Sequence, residues 1–317
     1  MLIRSVLFTA CICLVFSAYA DYAAGFAAYK RGDYKTALSE LRAEAERGNT
    51  DAQTGLVMMY EDGKGTVPNP SEARKWYDVV LRKAEQGDVA AQTNLGNMLR
   101  QGRGPVRDPQ LGASWYAKAA ERGYAKAQMQ LGVLYEVGLG VVKNPNEAMN
   151  WYRKAAEQGS AEGQYALSRG YESGRGLPKD DGEALKWLRK SVEQGFAPAQ
   201  YSLGGRYASG KGVPKSDNEY LNLVRKAAEQ DYVTAQLSLA KKYETGNLVE
   251  KNGKAALSWY RKAAARDNVQ AIDRLIRAYR NGELGEQVNT ALEKEWQDRL
   301  IVVQRGILDK RMKGDPF

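Results

Sequence analysis

The chain has 317 residues, with 47 Lys plus Arg against 38 Asp plus Glu, two cysteines and no histidine. Without histidine, neither a Ser/His/Asp nor a Cys/His nucleophile can be assembled, and zinc sites built on imidazole are excluded too. The formal charge of +9 suits an acidic partner, but the basic residues are spread along the chain without an aromatic-interleaved block, so nucleic acid is not expected as a partner.

Residues 1–20, MLIRSVLFTACICLVFSAYA, read as a signal peptide. Arg4 gives the positive start, Val6 to Phe16 the apolar run, and Ala18-Tyr19-Ala20 the small-residue cleavage site. The run is too short for a membrane span. Cleavage after Ala20 predicts a periplasmic or secreted product. It also removes Cys11 and Cys13, so no disulfide holds the mature chain.

Residues 21–47 have the shape of a capping helical hairpin, with Tyr29, Tyr34 and Leu38 on its apolar side. From 48 to 288 the chain repeats itself. Leucine stands at 56, 95, 131, 167, 203, 239 and 275; after a first step of 39, every step is 36. Seven residues beyond each leucine is a glycine, four before it is alanine or glycine, and four after it is tyrosine or Leu99. Spacings of four and eight put these residues on one face of a helix.

A second helix follows each first one. It carries Trp76, Trp115, Trp151, Trp187, Leu223 or Trp259 and the phrase WYRKAAEQG, which occupies 151–159 and returns in variant form throughout. Asn144-Pro145-Asn146-Glu147 and Asn69-Pro70-Ser71-Glu72 signal its start as N-cap, proline and capping-box glutamate; Asp180 with Glu183 repeats the box. Gly123, Gly159 and Gly195 fit the left-handed position past its end. The three extra residues of the first step, Val79-Val80-Leu81, predict a local irregularity. Stacked helical hairpins of this kind share a core that one hairpin cannot form alone. Residues 289–317 read as a capping helix, with Trp296, Leu300, Val303 and Ile307 at helical spacing, and a tail.

Motifs that suggest chemistry have simpler readings. The G-x-G triplets at 63–65, 102–104, 138–140, 174–176 and 210–212 follow helices and recur, whereas a phosphate loop follows a strand and occurs once per domain. They suit a turn needing positive φ. The tryptophans stand at a fixed repeat position and read as core anchors. Asp180/Asp181 sits at a helix start, where negative charge is favoured. No catalytic residue, metal site or cofactor is implied.

The repeat AEGQYALSRGYESGRGLPKDDGEALKWLRKSVEQG at 161–195 resembles the Sel1-like repeat, a relative of the tetratricopeptide repeat. The resemblance extends over 48–282; the leading hairpin is closer to a tetratricopeptide unit. Departures are Gly246-Asn247-Leu248 and Gly282-Glu283-Leu284 in place of G-x-G, and Leu223 in place of tryptophan. The resemblance implies an all-α fold, an α/α solenoid in a right-handed superhelix, that binds proteins. Some secreted, cysteine-rich members are described as binding or hydrolysing β-lactams; their cysteine pairs are absent here.

On the first helices, positions two before and two after the anchor leucine point away from the core. In the third to sixth repeats they hold Met129, Tyr165, Tyr201 and Leu237, with Arg169 and Lys241 beside them. Tyrosine and arginine are enriched at binding hot spots; the same side chains could instead pack against the adjacent repeat. These six are the candidate partner-binding residues. The expected function is a non-enzymatic protein-binding module, either an immunity protein that neutralises a phospholipase-type toxin, or an envelope adaptor or secreted host-binding factor, with a β-lactam-acting enzyme as the remote alternative.

Overall fold

A computed structural model of the protein describes residues 23–312, with side chains through residue 309. The leader, its cleavage site and the last five residues lie outside that range. Among the described residues there are helices and turns and no strands. Residues 23–31 form α1. Then come α2 (Tyr34–Glu46), α3 (Thr50–Asp62), α4 (Pro70–Glu85), α5 (Val89–Gln101), α6 (Pro109–Glu121), α7 (Ala125–Val137), α8 (Pro145–Glu157) and α9 (Ala161–Ser173). They are followed by α10 (Asp181–Glu193), α11 (Ala197–Ser209), α12 (Asp217–Glu229), α13 (Val233–Thr245), α14 (Gly253–Ala264), α15 (Val269–Asn281) and α16 (Thr290–Met312). The chain divides into two compact units, one ending at Lys179 and one beginning at Asp180. Within each, helices pack against their neighbours in chain order.

The helix ends follow the capping signals. Asn144 accepts from the amides of Asn146 and Glu147, Asn69 from Glu72, and Asp180 from Gly182 and Glu183. Gly63, Gly102, Gly138, Gly174, Gly210, Gly246 and Gly282 all close first helices in the left-handed conformation. One expectation fails. The residues added at Val79-Val80-Leu81 make no bulge: α4 runs unbroken for 16 residues where α6 has 13. Three residues are close to one turn, so α4 keeps its apolar face, and Val80 is fully buried.

Most residues of the recurring phrase have a task. Tyr152 is buried and donates its hydroxyl to Glu136 at 2.8 Å. Arg153 donates to the Tyr171 hydroxyl on the next first helix, and Arg261 does the same to Tyr279. Ala155 and Ala156 are buried where helices approach closely. Gln158 donates to Gln128, and Gly159 takes a φ of 89°. The tryptophans depart from the sequence reading. Trp76 and Trp115 are buried, but Trp151, Trp187 and Trp259 are only half-buried. A lysine one turn on covers the ring face: Lys154 lies 3.8 Å from the Trp151 ring centre, Lys190 4.3 Å from Trp187 and Lys262 4.2 Å from Trp259. These rings seal the edge of the core, with the ammonium above the electron-rich face.

A buried glutamine near the start of the first helix ties repeat to repeat. The side-chain amide of Gln53 donates to the carbonyl of Ala45, Gln92 to Ala84, Gln128 to Ala120, Gln164 to Ala156 and Gln236 to Ala228. Each acceptor lies in the last turn of the preceding second helix, where backbone carbonyls lack intrahelical donors.

At Gly65, Gly104, Gly140 and Gly176 the second glycine of G-x-G allows a close approach. At Gly176, φ is 72° and an added Cβ would stand 2.3 Å from the Pro145 carbonyl oxygen; at Gly174 the nearest atom would be 3.5 Å away. Leu248 and Leu284 hold the same left-handed conformation, at φ of 68° and 59°, without being glycine. Gly174→Ala is therefore expected to cost about 1–2 kcal/mol from conformation, and Gly176→Ala about 1–3 kcal/mol more from the clash. Leu248→Gly should be stabilising. Urea unfolding of the three variants measures the order, and equal losses at both glycines would show that the close approach does not form. Replacing Gln128 with leucine removes its bond to the Ala120 carbonyl, which keeps the Gly123 amide as donor, and should cost about 0.5–1.5 kcal/mol in the same assay.

Candidate functional site

The outward positions of the first helices are set by the 36-residue register, so the same geometry is filled with different chemistry in each repeat. In the first unit, Met129 on α7 is half-buried and packs with Val133 against Ala148, Met149 and Tyr152 of α8. Tyr165 on α9 is half-buried, and Arg169, one turn on, is exposed. In the second unit, Tyr201 on α11 rests against Tyr232, with ring centres 5.6 Å apart and the planes tilted by 60°. Burial pushes its phenol above the usual range. Leu237 on α13 is half-buried against the core of α14 and α15, and Lys241 is exposed. The apolar members are thus partly inserted between repeats and partly open.

Two concavities open on this register. One, of about 180 Å³ in the first unit, is lined by Phe26, Tyr29, Leu41, Thr54 and Met58, with Asp51 and Asn94 at its edge. The Asn94 amide donates to the Asp51 carboxylate at 2.8 Å. The other, of about 290 Å³ in the second unit, brings Leu237 and Lys241 together with Tyr260, Gln270, Asp273, Arg274 and Arg277. Sequence reasoning missed Phe26, Met58, Asp273, Arg274 and Arg277 as site residues. Met58, Asp273 and Arg277 occupy the same outward positions as the chosen six, and the preference for tyrosine in the middle repeats passed over them. Arg274 stands one residue before the anchor leucine, where the other repeats have Gly55, Asn94, Gln130, Ala166, Ser202 and Ser238; that break in the pattern was the available signal.

The second concavity has a built polar floor. Tyr260 donates to one oxygen of Glu244 at 2.6 Å, and Arg274 Nε donates to the other at 2.8 Å. Arg274 also pairs with Glu283 at 2.8 Å, and only 12% of its side chain is exposed. Burial alone would raise the Glu244 carboxyl, but the hydrogen bonds from Arg274 and Tyr260 and the nearby guanidinium charges outweigh it and hold the group below the usual carboxylate range. Burial, with the hydrogen bond to Glu244, pushes the Tyr260 phenol up. In the first unit, burial similarly carries Tyr116 up to about 12. Among the described residues no group of three acidic, histidine or cysteine side chains is placed to hold a metal ion, and no helix is long and apolar enough to cross a membrane.

The Sel1 repeat model matches six segments, residues 50–78, 89–124, 125–160, 161–196, 197–232 and 233–268, which make up more than half of the chain. The chain belongs to the Sel1 repeat family. Its architecture is accordingly an all-α repeat solenoid, and Sel1 repeats are protein-interaction modules, typically without enzymatic activity. A Sel1 repeat protein from Oxalobacter formigenes is similar in structure, with 31% identity, a TM-score of 0.58 and coverage of 88% of this chain and 96% of that one. The immunity protein PA5088 from Pseudomonas aeruginosa shares the fold, at 22% identity and a TM-score of 0.50, over 76% of this chain and 87% of that one. An exopolysaccharide production negative regulator of Rhizobium leguminosarum bv. viciae is 37% identical over 59 residues, which are 19% of this chain and 22% of that protein. The match therefore spans about a fifth of that relative.

Glu244 lies in the last matched Sel1 segment, and its partner Arg274 lies on α15, which follows it. Because its pKa is depressed in the folded state, Glu244 adds stability above the ordinary glutamate value of 4.5, and that stability is lost as the pH falls through the lower folded-state value. Glu244→Gln should thus lower the melting temperature at neutral pH, with the gap to the parent protein closing as the pH falls below the ordinary glutamate value of 4.5. Melting curves at neutral and acid pH measure this; a gap of constant size would show that the carboxylate charge contributes nothing.

Proposed function

We propose that this Sel1 repeat protein is a periplasmic, non-catalytic binding module that holds one protein partner on the outward positions of its first helices. The observation that carries the reading is the pairing of an invariant frame with variable outward side chains. Buried glutamines, leucines and alanines recur at fixed register, while Thr54, Met129, Tyr165, Tyr201, Leu237 and Asp273 share one position and differ in chemistry. A frame that needs only its inner residues leaves the outer ones to recognition. The compartment rests on the leader at residues 1–20.

Within this reading the partner is a secreted toxin, and the protein protects its own periplasm by occluding an enzyme's active site. A stack of helical repeats suits that task, and the immunity protein PA5088 has the same fold. A second reading, an envelope adaptor, is favoured by the 59-residue likeness to a regulator of exopolysaccharide production.

Capture of partners from a periplasmic extract, followed by titration of the purified partner, tests both. The Tyr165→Ala, Tyr201→Ala double variant, once shown to keep its helical signal and melting temperature, should bind about thirtyfold or more weakly, since a hot-spot tyrosine carries about 2 kcal/mol. Undiminished affinity removes these residues from the binding surface. A captured partner with no toxic or enzymatic activity removes the immunity reading in favour of the adaptor.

A further inference from the structure

Charge on the first helices is uneven. Two residues after the anchor leucine the repeats carry Met58, Asn97, Val133, Arg169, Gly205, Lys241 and Arg277. Basic residues fall in consecutive repeats only at Lys241 and Arg277, and these two share the α13–α15 concavity with the exceptional Arg274. The concavity of the first unit is instead walled by Phe26, Leu41 and Met58 and carries Asp51.

The three cations of the α13–α15 concavity play different parts. Arg274 is spent on Glu244 and Glu283, so it is a fixed floor and not a free charge. Arg277 pairs with Asp273 at 3.0 Å, but both side chains are more than half exposed. An exposed pair one helical turn apart is weak, so its guanidinium can turn to an incoming carboxylate. Lys241 is exposed, and no ion pair holds its ammonium among the described residues. Leu237 offers a half-buried aliphatic surface beside them.

We infer that the concavity between α13 and α15 is the docking site for an acidic segment of a protein partner, in which a carboxylate side chain stands beside an aliphatic one. This rests on the binding-module reading above and gives the partner's chemistry at one place. The aliphatic side chain lies on Leu237. The carboxylate is taken between the Lys241 ammonium and the Arg277 guanidinium, whose two-point fork fixes direction as well as charge. Asp273 stands at the same rim and repels a segment that brings its carboxylate to the wrong edge.

Selection of a random dodecapeptide phage library on the exported chain, followed by fluorescence titration of one recovered peptide, tests the assignment. The recovered pool should be rich in Asp or Glu next to Leu, Ile or Val. The Lys241→Glu, Arg277→Glu double variant changes only exposed side chains, and its fold is checked by circular dichroism. It should bind the peptide at least about tenfold more weakly, and raising the salt to about 0.5 M should weaken parent binding and spare the variant. Arg189→Ala, an exposed residue of α10 that does not line the concavity, should leave affinity unchanged. A pool without acidic enrichment, or acidic peptides that bind the double variant as well as the parent, overturns the assignment and leaves the binding module standing. A heparin fragment that competes with equal dependence on Lys241 and Arg277 overturns it in favour of a general polyanion site. Failure to recover any peptide or any partner overturns the module reading and this inference together.

Discussion

The structure depends on one hydrogen bond made again and again: a buried glutamine amide donating to the last carbonyls of the preceding helix. A hairpin of two 13-residue helices has few residues with which to fix its neighbour's position, and apolar contact is non-directional. The glutamine supplies direction. Gln128 reaches the Ala120 carbonyl at the end of α6 and accepts from Gln158 beyond the end of α8, so one side chain ties three helices. Gln200 likewise accepts from Gln230. A slip of one residue between repeats would leave a buried side-chain amide without its acceptor, at a cost of about 1–3 kcal/mol at each glutamine, while the helix-end carbonyl keeps its backbone donor. Stacking is therefore cooperative in register even where the packed side chains are small alanines.

With register held this way, the frame was legible from the sequence. The anchor leucines are buried, the caps at Asn69, Asn144 and Asp180 form as their spacing indicates, and the recurring glycines take positive φ. What the sequence hid were properties that depend on what lies across from a residue. Trp151 and Trp115 occupy the same position in the repeat, yet one is half-buried and the other buried. The three added residues of α4 amount to nearly one helical turn, so they lengthen the helix without turning its apolar face away, and no irregularity results. The carboxylate of Glu136 gave no sign of its role until Tyr152, 16 residues on, was seen to donate to it.

The site was harder to read than the fold for a related reason. Periodicity identifies what repeats, and recognition lies in what does not. Tyr201 looked like a hot spot by composition, but it lies against Tyr232, so part of its ring is already satisfied within the chain. Arg274 looked like any surface arginine, but two carboxylates from separate places hold it as the floor of a concavity. Position in a repeat gives direction, whereas availability is set by neighbours that a single repeat does not contain.

The last repeats show how far the frame can be altered before it fails. Asp231 and Asp267 take the left-handed conformation that Gly123, Gly159 and Gly195 hold earlier, at φ of 63° and 59°. Aspartate tolerates that region better than most residues. Each carboxylate also receives an arginine from further along the chain, Arg266 to Asp231 at 2.6 Å and Arg299 to Asp267 at 2.9 Å, where the glycine Gly87 takes Arg122 on its backbone carbonyl instead. Leu284 replaces the close-approach glycine, and the helix it faces begins with Gly253, where a Cβ would stand 2.7 Å from the Leu284 backbone; the missing side chain has moved to the other partner of the contact. Relaxation of the consensus in these repeats coincides with the appearance of Arg274, Arg277 and their carboxylates. Once the helix-end hydrogen bonds keep register, turns and outward positions are free to diverge together, and a repetitive array acquires a surface that is unlike the rest of itself.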